Sequence, residues 1–242
     1  MRARSRRLLS DISIERLMTP IQLLHTLQLV DSFFPVGAFA YSDGLETAAA
    51  AGRIHDGSSL NDWIDHYLNN VFVPCDGLAL LQCAEAMQRG DVVRIQSIDE
   101  ELTAIKPSAA MRKASRSVGR RMLATYSGIC GDSGFAVFAN TLLHANAPVA
   151  YAAVLTHRGI ESRDAVLVFG YTRLAGMVSA ALRLIALGQQ QAQELLADGL
   201  EKLPAAVEHI ASMRTDALRS FGPFMDIEQM NHRYVYSKLF RS

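Results

Sequence analysis

The sequence contains few of the residues that build cross-linked or metal-bound folds. It has three cysteines, at positions 75, 83 and 130, and no two of them have the CxxC spacing. An odd number of isolated thiols argues against a disulfide framework and against a thiolate zinc site, and it is typical of a reducing compartment. We therefore expect a cytoplasmic protein.

An excess of charge of either sign is also absent. Lysine plus arginine number 24, as do aspartate plus glutamate, so no net field draws the protein toward nucleic acid or a membrane. The arginines near the start resemble the beginning of a signal peptide, but Asp11, Glu15 and Arg16 interrupt the apolar run that should follow. We expect 1–17 to be a disordered basic extension, or else to precede a true start at Met18.

No arrangement of residues that marks an enzyme is visible. There is no GxxxxGK[ST] phosphate-binding loop, no HExxH helix and no histidine-rich tract, and neither Ser42 nor Ser115 has recognisable His and Asp partners. This pattern favours a non-catalytic interaction protein with no cofactor and no dedicated metal site. The alternative is an all-helical cytoplasmic enzyme with a buried small-molecule pocket assembled from distant residues.

Helical patterning is what the sequence contains in abundance. Half of the residues are hydrophobic, alanine is common, and runs of alternating Val, Ile and Thr are scarce. Because no low-complexity linker divides the chain, we expect one all-α domain over 18–222 with roughly nine to eleven helices. Two prolines set expected boundaries: Pro74 ends an amphipathic helix, and Pro204 lies in the first turn of a last long helix over 200–221.

The stretch 165–187, AVLVFGYTRLAGMVSAALRLIAL, is apolar on nearly every face. A helix of this kind is normally enclosed by other helices, and Arg173 and Arg183 make it a poor membrane span. We predict that it is the central helix of a compact domain. Small residues at helical spacings let a second backbone approach, which predicts a homodimer: Ala175, Gly176, Ser179 and Ala180.

Three ordered motifs carry a resemblance to a known family. A helix with a stripe of Leu23, Leu24, Leu27 and Val30 leads into a P-x-G-x-x-x-x-S-x-G-L-E segment, made by Pro35, Gly37, Ser42, Gly44, Leu45 and Glu46. The second motif resembles E-x-R-x-A-S-x-x-x-G, with Ala110 where the acid is expected, followed by Arg112, Ala114, Ser115 and Gly119. The third resembles R-L-I-P-L-G-Q-x-x-x-Q, with Ala186 in place of proline among Arg183, Leu184, Leu187, Gly188, Gln189 and Gln193.

The chain ends in FGPFMDIEQMNHRYVYSKLFRS, whose aromatic residues put much apolar surface on a terminus. We expect 223–242 to be a partner-docking segment rather than part of the globular core. The competing interpretation is that this tail packs back on its own protomer and stabilises it. Together with this terminus, the motifs resemble the UreF family of urease accessory proteins over nearly the whole chain.

The resemblance implies an all-helical, dimeric and non-catalytic adaptor. Such a protein binds the accessory protein UreD, also called UreH, recruits and regulates the GTPase UreG, and supports nickel insertion into the urease apoprotein. Nickel would then be handled by the complex, and neither nucleic acid nor a membrane would be a partner.

We expect partner contacts from residues of these motifs and of the terminus. Arg116 extends the basic run that begins at Arg112, which is either a solvated helix face or a docking surface for an acidic partner. The candidate partner-binding residues are Pro35, Gly37, Tyr41, Ser42, Gly44, Leu45, Glu46, Arg112, Arg116, Arg183, Gln189, Gln193, Tyr234, Leu239, Phe240, Arg241 and Ser242.

Overall fold

The structure, a computed structural model, describes residues 18–241. Within this range the chain forms eleven α-helices, and its one isolated β-bridge joins Tyr41 to Arg241. The prediction of a single all-α domain is therefore confirmed. The expectations for 1–17 and for Ser242 concern positions outside the described residues.

The helices are joined mostly by loops and turns. In chain order they are α1 Pro20–Val30, α2 Leu45–Ala50, α3 Gly57–Tyr67, α4 Leu78–Gln88, α5 Val92–Ile105, α6 Ala109–Cys130, α7 Ser133–Asn140, α8 Ala147–His157, α9 Ser162–Leu184, α10 Gln189–Ser212 and α11 Pro223–Asn231. Many begin at a side chain that accepts a backbone N–H of the first turn, which satisfies a donor that the helix itself leaves unpaired. These caps are Thr19, Asp56, Asp91, Ser108, Asp132 and Glu161.

Helix α9 is the central element, as predicted, although it begins at Ser162 and ends at Leu184. It packs against α10, α4, α8 and α2. The most completely enclosed helix is α8, in which every residue of 147–155 is buried, whereas Tyr171 and Arg183 of α9 reach solvent. By length and composition α9 could cross a membrane, but core helices share this property, and 50% of its apolar stretch is buried inside the fold.

The prediction that Pro74 ends a helix is wrong. From Leu68 to Gly77 the chain is a π-helical segment that joins α3 to α4 without a loop. Proline has no N–H, so this segment lacks one internal hydrogen bond. The loop after α10 adds two bonds from outside: the N–H of Phe221 donates to the Asn70 carbonyl at 3.1 Å, and the N–H of Arg219 donates to the Pro74 carbonyl at 3.0 Å. A distant loop thus helps to hold the segment that contains the proline.

The last long helix is also displaced from its predicted range of 200–221. Helix α10 spans Gln189–Ser212 and holds Pro204 in its interior. The chain after Ser212 is the loop that reaches back to the π-helical segment, so tertiary hydrogen bonds replace helical ones there.

The leucine stripe of α1 faces away from the core. Leu23, Leu24 and Leu27 are 50–60% exposed, while Thr26 and Leu29 are the buried residues of the helix. An apolar stripe normally faces the core of its own domain. In this protein the stripe is left open to solvent.

Candidate functional site

Two parts of the chain that are distant in sequence meet at one place beside α9. They are the loop 35–46, called the signature loop, and the C-terminal segment 223–241. The N–H of Arg241 donates to the carbonyl of Ala40 at 2.7 Å, next to the bridge between Tyr41 and Arg241. The first motif and the terminus therefore form a single site.

Glu46 ties the C-terminal segment to the signature loop. It lies in the first turn of α2, where the helix dipole stabilises a carboxylate, and it is 3% exposed. One carboxylate oxygen accepts the N–H of Leu239 at 2.5 Å, and the other lies 2.5 Å from Nε2 of His232. Because His232 is also buried, this contact forms inside the protein and resists competition from water.

Arg183 of the third motif contacts both the signature loop and the C-terminal segment. Its guanidinium lies 4.2 Å from the ring centre of Phe240 and donates to the carbonyl of Phe39 at 3.1 Å. Phe240 is buried under this cation. The first motif, the third motif and the terminus thus share one set of contacts, which the sequence alone does not reveal.

Gly44 is required by the close approach of α11 to the signature loop. Its φ is +92°, and a Cβ at this position would lie 3.1 Å from side-chain carbons of both Glu228 and Gln229. The left-handed conformation and the limited space both favour glycine. The glycine of the first motif therefore serves packing between the two parts of the site.

Two ion pairs lie beneath the signature loop, one partly buried and one buried. Arg173 of α9 pairs with Asp43 and donates to the hydroxyl of Tyr67 at 3.1 Å, and Lys106 pairs with Asp76 at 2.6 Å. Burial by itself opposes the charged form of Lys106, but the Asp76 carboxylate raises the pKa of that amine above its usual value. These groups line a cavity of about 60 Å³. Ligand pockets are usually several times larger, at roughly 300–1,000 Å³.

The C-terminal segment has an inner and an outer side. The expectation that it stands apart from the core is wrong for the inner side, where Met225, His232 and Phe240 are buried against the rest of the protomer. Other apolar side chains of the segment are exposed to solvent, and we call this set the outer face. The outer face consists of Phe224, Ile227, Met230, Tyr234, Tyr236 and Leu239.

Most residues of the first motif are not available to a partner. Ser42, Gly44, Leu45 and Glu46 are buried, so they act by positioning the loop and the C-terminal segment. Pro35 is exposed, and Gly37 and Tyr41 are partly exposed. Of the terminal candidates, Tyr234, Leu239 and Arg241 reach solvent, whereas Phe240 does not.

The second motif has a packing role. Arg112 donates to the carbonyls of Lys106 and Pro107 at 2.5 and 2.9 Å, so it needs no acid at position 110. The hydroxyl of Ser115 accepts the N–H of Ala147 at 3.1 Å, and a Cβ on Gly119 would lie 2.0 Å from the Ala145 carbonyl. The motif therefore brings α6 against the start of α8.

Three remaining candidates lie apart from the signature loop. Arg116 is partly exposed on α6, and Gln189 and Gln193 are exposed at the start of α10. None of these side chains hydrogen-bonds to the loop or to the C-terminal segment within residues 18–241. Across the same residues, no group of three or more His, Cys, Asp or Glu side chains is arranged to hold a metal ion.

Two structurally important residues carry no sequence signal as site residues. Asp99 is buried, and its carboxylate accepts the N–H groups of Ala145 and Asn146, both at 2.8 Å. Asp43 has a positive φ of 52° and pairs with Arg173. An aspartate in a helical or loop pattern is usually solvated, so their partners become visible only in three dimensions.

The fold and the site define a class: a single-domain, all-helical protein with a buried polar anchor and an exposed apolar face. A family model described as UreF matches residues 54–199. The urease accessory protein UreF of Methylobacillus flagellatus is 31% identical over 223 residues, covering 91% of this chain and 97% of that protein. That of Trichodesmium erythraeum is 32% identical, covering 90% and 95%, and that of Microcystis aeruginosa is 32% identical, covering 91% and 98%.

The chain belongs to the UreF family of urease accessory proteins, as the motifs implied. This membership supports a role in urease maturation.

Proposed function

We propose that the protein is a non-catalytic adaptor of urease maturation that works in the cytoplasm. In this proposal it binds UreD (UreH), recruits and regulates the GTPase UreG, and supports nickel insertion into the urease apoprotein. The observation that carries the proposal is the outer face of the C-terminal segment. Its exposed aromatic and aliphatic side chains form an apolar surface of the kind that marks protein interaction sites.

The composition of the outer face fits a stable docking surface. Aromatic side chains dominate binding energy at interfaces, and Tyr234 and Tyr236 are exposed here. Arg233 and Lys238 are also exposed and can pair with acidic groups at the rim of a partner. The contacts of Glu46 with His232 and Leu239 hold the C-terminal segment in place before a partner binds, which lowers the entropy lost on association. We assign the outer face to UreD, because the terminal motif is part of the family resemblance.

A homodimer is the second part of the proposal, and its support is the outward stripe of α1. Leu23, Leu24 and Leu27 are exposed on a helix that packs beside α9. A two-fold contact places the same patch of each protomer against itself, and a row of leucines is self-complementary in that arrangement. We therefore assign the stripe to a second copy of this chain.

The competing function is an all-helical enzyme with a small-molecule pocket. The cavity next to Lys106 and Arg173 is its best candidate, at about 60 Å³. This volume suits a few water molecules better than an organic substrate. The family relatives are named accessory proteins, which also favours the adaptor.

Co-purification with UreD tests the adaptor. Ile227→Glu places a charge in the outer face at a residue that is 53% exposed, so the fold should survive. We expect the variant to keep its thermal midpoint and to lose UreD, and with it UreG. Val137→Glu on α7 is the matched control, because Val137 is exposed outside the outer face. Equal recovery of UreD by both variants would refute the assignment.

A further inference from the structure

A second concave surface lies where α4 ends, α5 begins and the loop after α10 passes. It is a groove of about 440 Å³ lined by Gln82, Glu85, Arg89, Arg94, Arg214 and Thr215. The proposed adaptor function uses none of these residues. We call this groove the arginine pocket.

The arginine pocket has a local surplus of positive charge. Three guanidinium groups face one carboxylate, in a chain whose formal net charge is zero. The pair between Arg89 and Glu85 is loose, with Nη1 and Oε2 separated by 3.8 Å. Arg214 has no hydrogen-bond or ion-pair partner within the described part of the chain. Two cationic groups are thus not neutralised by the protein.

A buried side chain holds Arg94 in this pocket. The carboxamide oxygen of Gln82 accepts from Nη2 of Arg94 at 2.8 Å, and its amide nitrogen donates to the Asp216 carbonyl at 2.9 Å. Gln82 is 5% exposed, so one partner of each bond is shielded from water. The same residue therefore positions Arg94 and the loop that carries Arg214.

The position of Arg94 is unfavourable for the helix to which it belongs. Arg94 lies in the first turn of α5, where the helix dipole favours an acid and disfavours a cation. Two further arginines beside it add like-charge repulsion. Proteins break a local stability rule of this kind mainly at functional sites. Since a buried amide also holds Arg94 in place, the arrangement indicates a binding site.

We propose that the arginine pocket binds a phosphate group, either as inorganic phosphate or as part of a small phosphorylated molecule. A guanidinium group presents paired N–H donors that match two phosphate oxygens. A phosphate near neutral pH carries between one and two negative charges, which offsets the surplus of the pocket. The lining contains no aromatic ring on which a base would stack, so the phosphate itself is what the pocket recognises.

Calorimetric titration of the full chain tests this site. Inorganic phosphate should bind saturably, whereas chloride at the same ionic strength should give no saturable heat. Arg214→Gln should weaken phosphate binding by on the order of tenfold, since it removes a charged donor. Arg94→Lys keeps the charge but loses the paired donors, and it should weaken binding as well. Arg121→Gln removes an exposed arginine outside the pocket and should bind as the wild type does.

A second set of titrations separates the two sources of phosphate. Adenosine monophosphate should bind at least as well as inorganic phosphate, and adenosine should not bind. A monophosphate that binds much more tightly indicates a larger phosphorylated ligand, and equal affinity indicates that the phosphate group suffices. Absence of saturable phosphate binding, binding of adenosine alone, or equal affinity in Arg214→Gln and wild type would each overturn the proposal.

Discussion

At the scale of single residues, the site depends on buried polar groups that position others. Glu46 shows this most clearly, because one carboxylate holds both His232 and the N–H of Leu239. The sequence predicts Glu46 as an acid in a helical first turn and as part of a family motif. It does not predict the partners, which lie 186 and 193 positions further along the chain.

Replacing Glu46 by Gln should loosen the C-terminal segment. The change keeps the size of the side chain but removes the negative charge that faces His232. We expect the free energy of unfolding to fall by about 1.5–3 kcal/mol, the range for a hydrogen bond to a charged group. Hydrogen exchange should quicken over 234–241, and Glu100→Gln, at an exposed site on α5, should change neither quantity. Unaltered exchange in the Glu46 variant would show that the anchor is dispensable.

The contact between Asp132 and His157 predicts that the free energy of unfolding depends on pH in the acid range. Hydrogen bonding from His157, and then from the N–H groups of Phe135 and Gly134, lowers the pKa of Asp132 below its ordinary value of 3.8. Such a group stabilises the fold above its unfolded pKa, and this stabilisation disappears as the pH falls through the folded pKa. Urea titrations should therefore show Asp132→Asn less stable than wild type near neutral pH, with a difference that shrinks as the pH falls below 3.8 and vanishes once it passes the lowered pKa of the folded protein. A difference that stays constant with pH would contradict the assignment.

At the scale of elements, the sequence predicts which stretches are helical better than where they end. The apolar pattern over 165–187 predicts α9, Ser162–Leu184, to within three residues. Pro74 and Pro204 mislead, because a distant loop bonds to the segment around Pro74 and α10 tolerates an interior proline. The direction of the α1 stripe is also not predictable, since a stripe that faces a second protein has the same spacing as one that faces the core.

Buried and exposed side chains of the C-terminal segment should respond differently to replacement by alanine. Phe240→Ala removes a buried ring and its contact with Arg183, so we expect a loss of about 3 kcal/mol in unfolding free energy. Tyr236→Ala removes a fully exposed ring, and the change should stay within about 0.5 kcal/mol. Denaturant unfolding of both variants measures the contrast. Equal effects would mean that the segment does not pack as described.

The exposed leucine stripe of α1 leads to a separate prediction about dimer formation. Leu24→Glu combined with Leu27→Glu places two charges on exposed positions, so the helical content and thermal midpoint should be retained. Sedimentation at micromolar concentration should show a dimer for the wild type and a monomer for the variant. Val93→Glu, at an exposed site on α5, is the control and should remain dimeric. A dimeric double variant would exclude the stripe as the contact.

At the scale of the whole molecule, the sequence predicts the fold class, the central helix and the family. It predicts the site only in part. The first motif, Arg183 and the terminus meet, but Ser42, Gly44, Leu45 and Glu46 lie inside the protomer and position a surface that other residues present. Residue type cannot distinguish these two roles. Ile227 and Met230 also belong to the C-terminal sequence that resembles the family, yet only the structure places them on the outer face.

The nickel content of urease matured in cells tests the central claim most directly. Cells that lack their own UreF would express urease, the other accessory proteins and either this chain or its Ile227→Glu variant. Purified urease should carry nickel with the wild-type chain and little with the variant, while Val137→Glu should behave as the wild type does. If urease matured with the Ile227→Glu variant carries as much nickel as with the wild-type chain, the outer face is not the surface through which this protein acts.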